Sequence, residues 1–542
     1  MTEVVNLAAL KAITGSSNGE LYYVKGHTNL GDGGQGIFMW RTDSIFTTGI
    51  YQNDNNGTIL KTTSTAGWTI GRWVRQYEGH INVLYFGAFG KTLDYSTAFQ
   101  NAVDFASINA LNDPELKGSV VYIPNGNYRI NTILLKSGIS ILGESIDKTL
   151  IQTTANHTVD YMFKMDIGPI FLNISNLSIF GRNETEAGCF LFEGKPSTDE
   201  AQHGGLWNSA FKNIKIMGFK GHGIYLKGGV SGKLPNQFNT FENVRVNKAA
   251  DFTNSLKMTG QNGQHTFLNC TFDGYNTGGS NIFPKGHNVN ISHDVDASTG
   301  ILSFINCSFQ EGDYGIYFNY AENITIDGCW FENLGVAITV NGSEYNSCRD
   351  ITIQNSRFAN AAGYGSLAVS AGNIKGGQCI AVSNSFVNVY NNYVAVSDPN
   401  GPNLNPDSSF LSAPGNTLGG IDIAGNVFQD IKLSKTFGIM QVIAVSSPNT
   451  INCGRNKLVF VNTSTTVIKS IVSSINASET ITIRANGTGS ITFDNTKNIF
   501  LVNKSTLSLA NGEIAVFMKC DNYIGTYYET YQLISVMRAT TP

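Results

Sequence analysis

Seven short stretches of this chain can be laid one under another: "FKNIKIMGF" (211–219), "FENVRVNKA" (241–249), "FLNCTFDGY" (267–275), "FINCSFQEG" (304–312), "TIDGCWFEN" (325–333), "TIQNSRFAN" (352–360) and "DIAGNVFQD" (422–430). Each alternates apolar and polar positions around an Asn or Gly turn. With Cys270, Cys307, Cys329 and Ser356 taken as equivalent, the theme advances by 37, 22 and 27 residues. A repeat of fixed theme and variable step indicates a solenoid, because each unit buries its apolar face only against its neighbours. The units are too short and too strand-rich for helical pairs or propeller blades. Each therefore reads as one coil of a parallel β-helix, with the variation in step looped out on the outside.

Composition agrees. A chain of 542 residues exceeds one ordinary globular core, so several domains or an extended repeat is expected. Charged residues make up 14% against a usual figure of roughly 25%, while 58 Gly and 11% aromatics favour strands and tight turns. The fold class is all-β. A net charge of -4 and the lack of a Lys/Arg stripe argue against nucleic acid as a partner. The sequence contains no apolar run of about 18 residues, so no membrane insertion is expected. The start "MTEVVNLAALKAITGSSNGE" lacks a basic region followed by an apolar one, and no secretory signal is expected. The eight Cys form no CxxC pair, and several occupy equivalent repeat positions. They read as small buried hydrophobes rather than zinc ligands or disulfides, and no metal or cofactor is expected.

The flanks depart from the coil pattern. Residues 1–80, with "GDGGQGIFMW" and "WTIGRWVRQY", read as a small separate head domain. Residues 94–110, "DYSTAFQNAVDFASINA", read as one helix capped by Asp94 or Ser96, with Phe99, Ala102, Val103 and Ala106 on one face. This helix is expected to cover an open edge of a solenoid spanning 81–460, where uncovered strands would stay unpaired. Residues 461–542 read as short strands between Asn/Gly turns, a sandwich-like or oligomerising β-rich domain.

The stretches "INVLYFGAFGKTLDYSTAFQNAVDFA" (81–106), "GSVVYIPNGNYRI" (118–130) and "GISILGES" (138–145) resemble the beginning of the pectate-lyase-like right-handed β-helix superfamily. The order of head, β-helix and β-rich C-terminal domain is similar to that of bacteriophage tailspikes that degrade host surface polysaccharide. The likeness covers residues 80–542 as architecture. It departs at "KTLDYS", Lys91 to Ser96, where the family usually carries an acidic D-G-x-x-D-D run. The resemblance implies a right-handed solenoid, a homotrimer, and bacterial capsule or O-antigen as substrate. It also implies attachment to the phage tail or baseplate through the N-terminal domain, and a place in the virion outside the cell. Endo-glycoside hydrolysis is the activity it favours. A polysaccharide lyase on the same scaffold and a non-catalytic receptor-binding spike stay open beside it.

Coil alignment places the candidate side chains. If Cys307 and Phe309 point inward, with Cys270 and Phe272 and with Cys329 and Phe331, alternation turns Ser308 and Gln310 outward. One outward column then runs Asn247, Asp273, Gln310, Glu332, Ala359, and its neighbour runs Thr271, Ser308, Trp330, Arg357. A third runs Leu268, Ile305, Asp327, Gln354. Coils stack about 4.8 Å apart, which puts the backbones of Asp273 and Glu332 roughly 9–10 Å apart. Their carboxyls can then reach the separation of about 6.5–9.5 Å that admits a water in an inverting glycosidase.

Glu332 and Asp273 are accordingly the expected catalytic pair, with Glu311 and Asp313, at the turn after the strand, as substitutes. Trp330 offers a sugar ring an apolar face and one donor. Arg357, Gln310, Asp327 and Tyr317 are further substrate contacts. The long step between Cys270 and Cys307 carries an insertion, 276–300, that leaves the coil and walls a groove; Lys285 and His293 are its substrate contacts, beside His287, Asp294 and Asp296. A lyase would instead use Arg357 or Lys285 as base, with Ca²⁺ on acids such as Asp327. Outward acids on a solenoid also serve solubility and edge protection. Trp330 can equally be covered by another subunit, and Arg357 can pair with Glu332. Asn213, Asn243, Asn269 and Asn306, at the coil turns, are structural, since stacked amides bond one another in place of water.

Overall fold

A computed structural model describes the 542-residue chain except at residues 91–92, 113–118, 156–159, 166–170, 183–186, 195–204, 230–233, 275–284, 293–298, 343–347, 360–377, 396–408, 413–420, 425, 430–438, 441–449, 455–457, 462–465, 474–477, 486–489, 496–497, 502–505, 512, 521–529 and 539–542. By internal contacts it divides into two compact units. One is Met1–Tyr275 with Asp294–Ala297, the other Asn276–His293 with Ser298–Pro542.

The first unit begins with a five-stranded sheet in the order Thr2–Val4, Leu21–Val24, Gly36–Arg41, Arg72–Gln76, Ile59–Leu60. Its core is Leu7, Leu10, Val24, Phe38, Trp40, Leu60 and Trp73, the two indoles 5.0 Å apart. The glycine-rich turn is closed by Asp32, whose carboxylate accepts the backbone N–H of His27, Thr28, Asn29 and Gly34. Buried Arg75 stacks on Phe38 and on Tyr85, its guanidinium carbon 4.6 and 4.4 Å from their ring centroids, and so ties this sheet to the segment that follows.

Parallel pairing then takes over. Asn173–Phe180 pairs with Ala210–Phe219, which pairs in turn with Thr240–Lys248. Inward positions stack coil on coil: Phe211 lies on Phe241 at 4.7 Å, and Phe241 on Phe267 at 4.9 Å. Asn176, Asn213, Asn243 and Asn269 turn the chain with left-handed φ of 59°, 54°, 52° and 53°. Asn tolerates that conformation better than most residues, and its amide both donates and accepts. Asn213 Nδ2 accordingly donates to Asn176 Oδ1 at 3.0 Å, and Asn243 Nδ2 to Asn213 Oδ1 at 2.8 Å. The helix expected near 94–110 is Ser96–Asn112; Asp94 accepts from Ser96 N at 2.9 Å at its start. It buries Ala98, Phe99, Ala102, Val103, Phe105 and Ala106, and packs on Val120–Ile123 and Ile133–Leu135.

In the second unit Ser308–Asn319 pairs with Trp330–Asn341, and that strand with Arg357–Ala359, which pairs with Tyr393–Ala395. The two twelve-residue strands have the same burial pattern position by position. Phe309, Phe331 and Phe358 stack at 4.9 and 4.8 Å. The insertion between Cys270 and Cys307 does not leave the coil altogether. Its segment His287–Ile291 is a strand in parallel register with Tyr314–Phe318, so Val289 and Ile291, both buried, add to the stack. Cys307, Cys329, Cys348 and Cys379 are buried thiols outside any disulfide, as are Cys189 and Cys270 in the first unit.

Parallel pairing also runs past residue 460, where the sequence reading ends the solenoid. Thr450–Gly454 pairs with Ser470–Ser473, Leu458–Val461 with Thr480–Ala485, and Thr466–Ile468 with Ile491–Asp494. Antiparallel ladders follow, Ile491–Asp494 with Thr506–Leu509 and Thr480–Ala485 with Ile514–Cys520. One cluster that includes Ile468, Ile481, Ile491, Phe493, Leu507 and Phe517 fills the interior.

Candidate active site

The second unit presents one outward face built from four successive coils. Trp330 and Glu332 flank the fully buried Phe331, as alternation requires. Trp330 Nε1 donates to Glu332 Oε2 at 3.0 Å. In the preceding coil Ser308 and Gln310 stand in register with them, joined by a bond from Gln310 Nε2 to Ser308 Oγ of 2.6 Å. In the following coil Arg357 stands opposite Trp330 and Ala359 opposite Glu332, and one coil further Tyr393 stands opposite Arg357.

The pairing of Arg357 with Glu332 that the sequence allows is not what forms. The Arg357 guanidinium carbon lies 4.7 Å from the Trp330 ring centroid and 5.1 Å from that of Tyr393. The reason is register. Side chains at the same column position on successive coils sit one strand spacing apart, about 4.8 Å, which is also a comfortable cation–π distance.

Glu311 follows Gln310 at a bend and has a left-handed φ of 57°. The next coil fills the same bend with Asn333, at 54°, and in the first unit the strand Ala210–Phe219 bends at Gly218, at 72°. Glu has neither the freedom of Gly nor the local bonding of Asn, and the conformation costs it about 1–2 kcal/mol. Burial, and after it the charge of Glu332, raise the Glu311 carboxyl above the usual carboxylate range. Two carboxyls of unlike environment therefore share this face, one desolvated and strained, the other held by an indole N–H.

The remaining candidates divide. Asp313 is only 3% exposed, and its Oδ2 accepts from Gly286 N at 3.3 Å. It does not reach the outward face, because the left-handed residue at 311 breaks the two-residue alternation. Tyr317, beyond the bend, accepts from Asn341 Nδ2 at 3.0 Å, and the His287 ring lies 4.6 Å from both Tyr317 and Tyr314. Burial, then Asp313, raise the Tyr314 phenol. Asp327 is engaged by Gln354 Nε2 at 3.2 Å and Asn355 Nδ2 at 2.8 Å. Lys285 is half-buried at the start of the strand His287–Ile291. Asp273 lies on Thr271–Gly274 of the first unit, in register with Asn247, whereas Glu332 belongs to the second. His293, Asp294 and Asp296 lie outside the described residues. Tyr393 escaped the sequence reading, although "NNYVA" (391–395) aligns with "NSRFA" (355–359) and would have found it.

Three family descriptions match successive parts of the chain. Residues 3–78 match the phage tail protein small four-stranded beta-sheet domain, 80–282 match rhamnogalacturonase A/epimerase, pectate lyase-like, and 202–374 match the right handed beta helix region. A match to a phage-tail β-sheet domain is thus followed along the chain by overlapping matches to pectate-lyase-like and right-handed β-helix regions, in line with the parallel coils described above.

Solved structures agree on the fold. The full-length tailspike protein 2 of Escherichia coli bacteriophage CAB120 superposes with a TM-score of 0.53 at 16% identity, over 90% of this chain and 52% of that one. The gp42 tailspike of Acinetobacter phage vb_AbaP_AS12 gives 0.52 at 13%, over 100% and 94%. The tailspike gp49 of Acinetobacter baumannii bacteriophage Fri1, a capsular polysaccharide depolymerase, gives 0.50 at 15%, over 79% and 75%. The chain spans about half the length of the first of these. No curated protein matches the sequence. Among the described residues no helix is long and apolar enough to cross a membrane.

Proposed function

We propose that this chain is a phage tailspike that binds a bacterial surface polysaccharide, capsule or O-antigen, and cleaves it by endo-glycoside hydrolysis. The observation that carries this reading is Glu311, a carboxyl in a bend that suits Gly or Asn, raised by burial and by Glu332. A carboxyl that holds its proton above the usual carboxylate range is suited to donate it to the leaving glycosidic oxygen. Glu332, oriented by the Trp330 N–H, is then the carboxylate that activates water or attacks the sugar carbon. The Trp330 ring and Gln310 supply sugar contacts along the same face. Asp273, in the other unit, remains a position to test rather than a partner in this scheme.

The match of residues 3–78 to a phage-tail domain supports attachment to the tail through the N-terminus, and hence a place in the virion. Homotrimer formation belongs to the same reading. A long solenoid held that way should resist SDS and protease, since opening it separates many coils at once. Migration of unheated protein as a monomer on SDS gels would contradict it.

The deciding experiment is product analysis on purified capsule and O-antigen with wild type, Glu311→Gln, Glu332→Gln and Asp273→Asn. Hydrolysis predicts oligosaccharides of discrete size without the ultraviolet band of an unsaturated uronate, and loss of activity in the first two variants. The band would point to a lyase, which the pectate-lyase-like match of residues 80–282 favours as the second reading. Depletion of glycan without cleavage would point to a receptor-binding spike.

A further inference from the structure

We propose that Arg357, held between Trp330 and Tyr393, recognises a carboxylate substituent, and that the glycan bound on this face is therefore an acidic polysaccharide. The inference rests on reading this face as glycan-binding, but not on cleavage occurring there.

Three successive coils set Trp330, Arg357 and Tyr393 in register, one aromatic ring on each neighbouring coil. With ring centroids at 4.7 and 5.1 Å, the guanidinium carbon of Arg357 lies over two aromatic rings, while the side chain stays exposed and able to offer N–H donors to a ligand. Among the described residues no carboxylate forms an ion pair with it. The nearby acids are engaged elsewhere: Glu332 with Trp330 Nε1, and Asp327 with Gln354 and Asn355. Opposite Glu332 on Arg357's own strand stands Ala359, which brings no competing charge.

A guanidinium stacked in this way is already ordered before a ligand arrives. Its donors form a fixed fork that matches the two oxygens of a carboxylate. The setting also calls for such a cation. Glu332, the carboxylate of the pair, would repel an anionic glycan from the same face, and Arg357 is the positive charge that offsets it. A purely structural cation–π ladder would stabilise the coil equally well whatever the charge of the ligand, and this separates the two roles.

The test uses full-length protein carrying Glu311→Gln, so that bound glycan is not consumed. Its binding is measured against a panel of purified bacterial capsules and O-antigens, acidic and neutral. Each glycan that binds is then offered in carboxyl-reduced and in dephosphorylated form. The expected result is binding of an acidic glycan that weakens about tenfold or more on carboxyl reduction, the scale of one lost charge-assisted hydrogen bond, and is unchanged by dephosphorylation. Adding Arg357→Met should make the native and reduced forms bind equally, with oligomeric state and thermal midpoint retained, and Arg357→Lys should recover part of the preference.

Selective binding of a neutral glycan would overturn the proposal. So would equal binding of the carboxyl-reduced form, dependence on phosphate instead, an Arg357→Met variant that keeps the preference, or binding to no glycan in the panel. If wild type binds an acidic glycan but leaves the chains intact, the cleavage reading fails while this one stands.

Discussion

Trp330 donates its indole N–H to Glu332 at 3.0 Å while its ring lies against the Arg357 guanidinium at 4.7 Å. One side chain thus orients a carboxylate and supports a cation, and the two roles are separable by substitution. Trp330→Phe keeps a ring and removes the donor. It should lower kcat by about tenfold, the scale of a lost hydrogen bond to a charged group, with KM little changed. Trp330→Ala removes the platform as well and should also raise KM. Steady-state kinetics on the cleaved glycan reads both, and indistinguishable variants would argue that the indole does one job only.

Glu311 joins strain to function. Replacement by Gln should cut kcat/KM by about 10²–10⁴-fold if it is the general acid. Replacement by Asn should abolish activity equally while raising thermal stability by about 1 kcal/mol, because Asn suits the left-handed bend. A less stable Glu311→Asn would show that the bend is no burden to Glu.

The pH dependence follows from the raised Glu311 carboxyl. A general acid must be protonated, so activity should fall as pH rises through its raised value. A carboxyl raised in the folded state contributes stability below its unfolded value and loses that contribution as pH rises through the folded one. Glu311→Gln should therefore be stabilised relative to wild type near neutral pH and not in acid, as thermal midpoints across pH would show.

Buried His265 and half-buried His222 act with the opposite sign. Burial pushes His265 down to about 3, and burial together with Lys257 pushes His222 down to about 4. Between the ordinary histidine value near 6.5 and these values the unfolded chain takes up protons that the folded chain does not. Stability should fall as pH drops through that window, by about 1.4 kcal/mol per pH unit for each histidine. Denaturation measured across this range should show a shallower dependence in His222→Gln; an unchanged slope would mean that the ring is solvated in the fold.

Phe331 is fully buried between Phe309 and Phe358, at 4.9 and 4.8 Å. Phe331→Ala should cost about 3–5 kcal/mol and speed unfolding, because neighbouring coils cannot close the gap. Measured unfolding rates test this, and a loss below about 1 kcal/mol would mean that the coils relax into the space.

The sequence determined the solenoid, its inward Phe and Cys columns, its Asn corners and the outward positions of Gln310 and Glu332, whereas Ala359 in the same column is buried. All of these follow from two-residue alternation and from a coil stacked on its own repeat, and both are local rules. What a side chain does once it faces outward is not local. Alternation gave Arg357 and Glu332 neighbouring columns, but only coil stacking decided that the guanidinium lies against Trp330 and Tyr393 instead of the carboxylate. The buried Asp313 and the raised Glu311 likewise depend on one left-handed φ at position 311, which no periodic pattern announces. The strand inside the 276–300 insertion was hidden for the same reason, since its pairing with Tyr314–Phe318 is a contact across coils and leaves no mark in the spacing of residues along the chain.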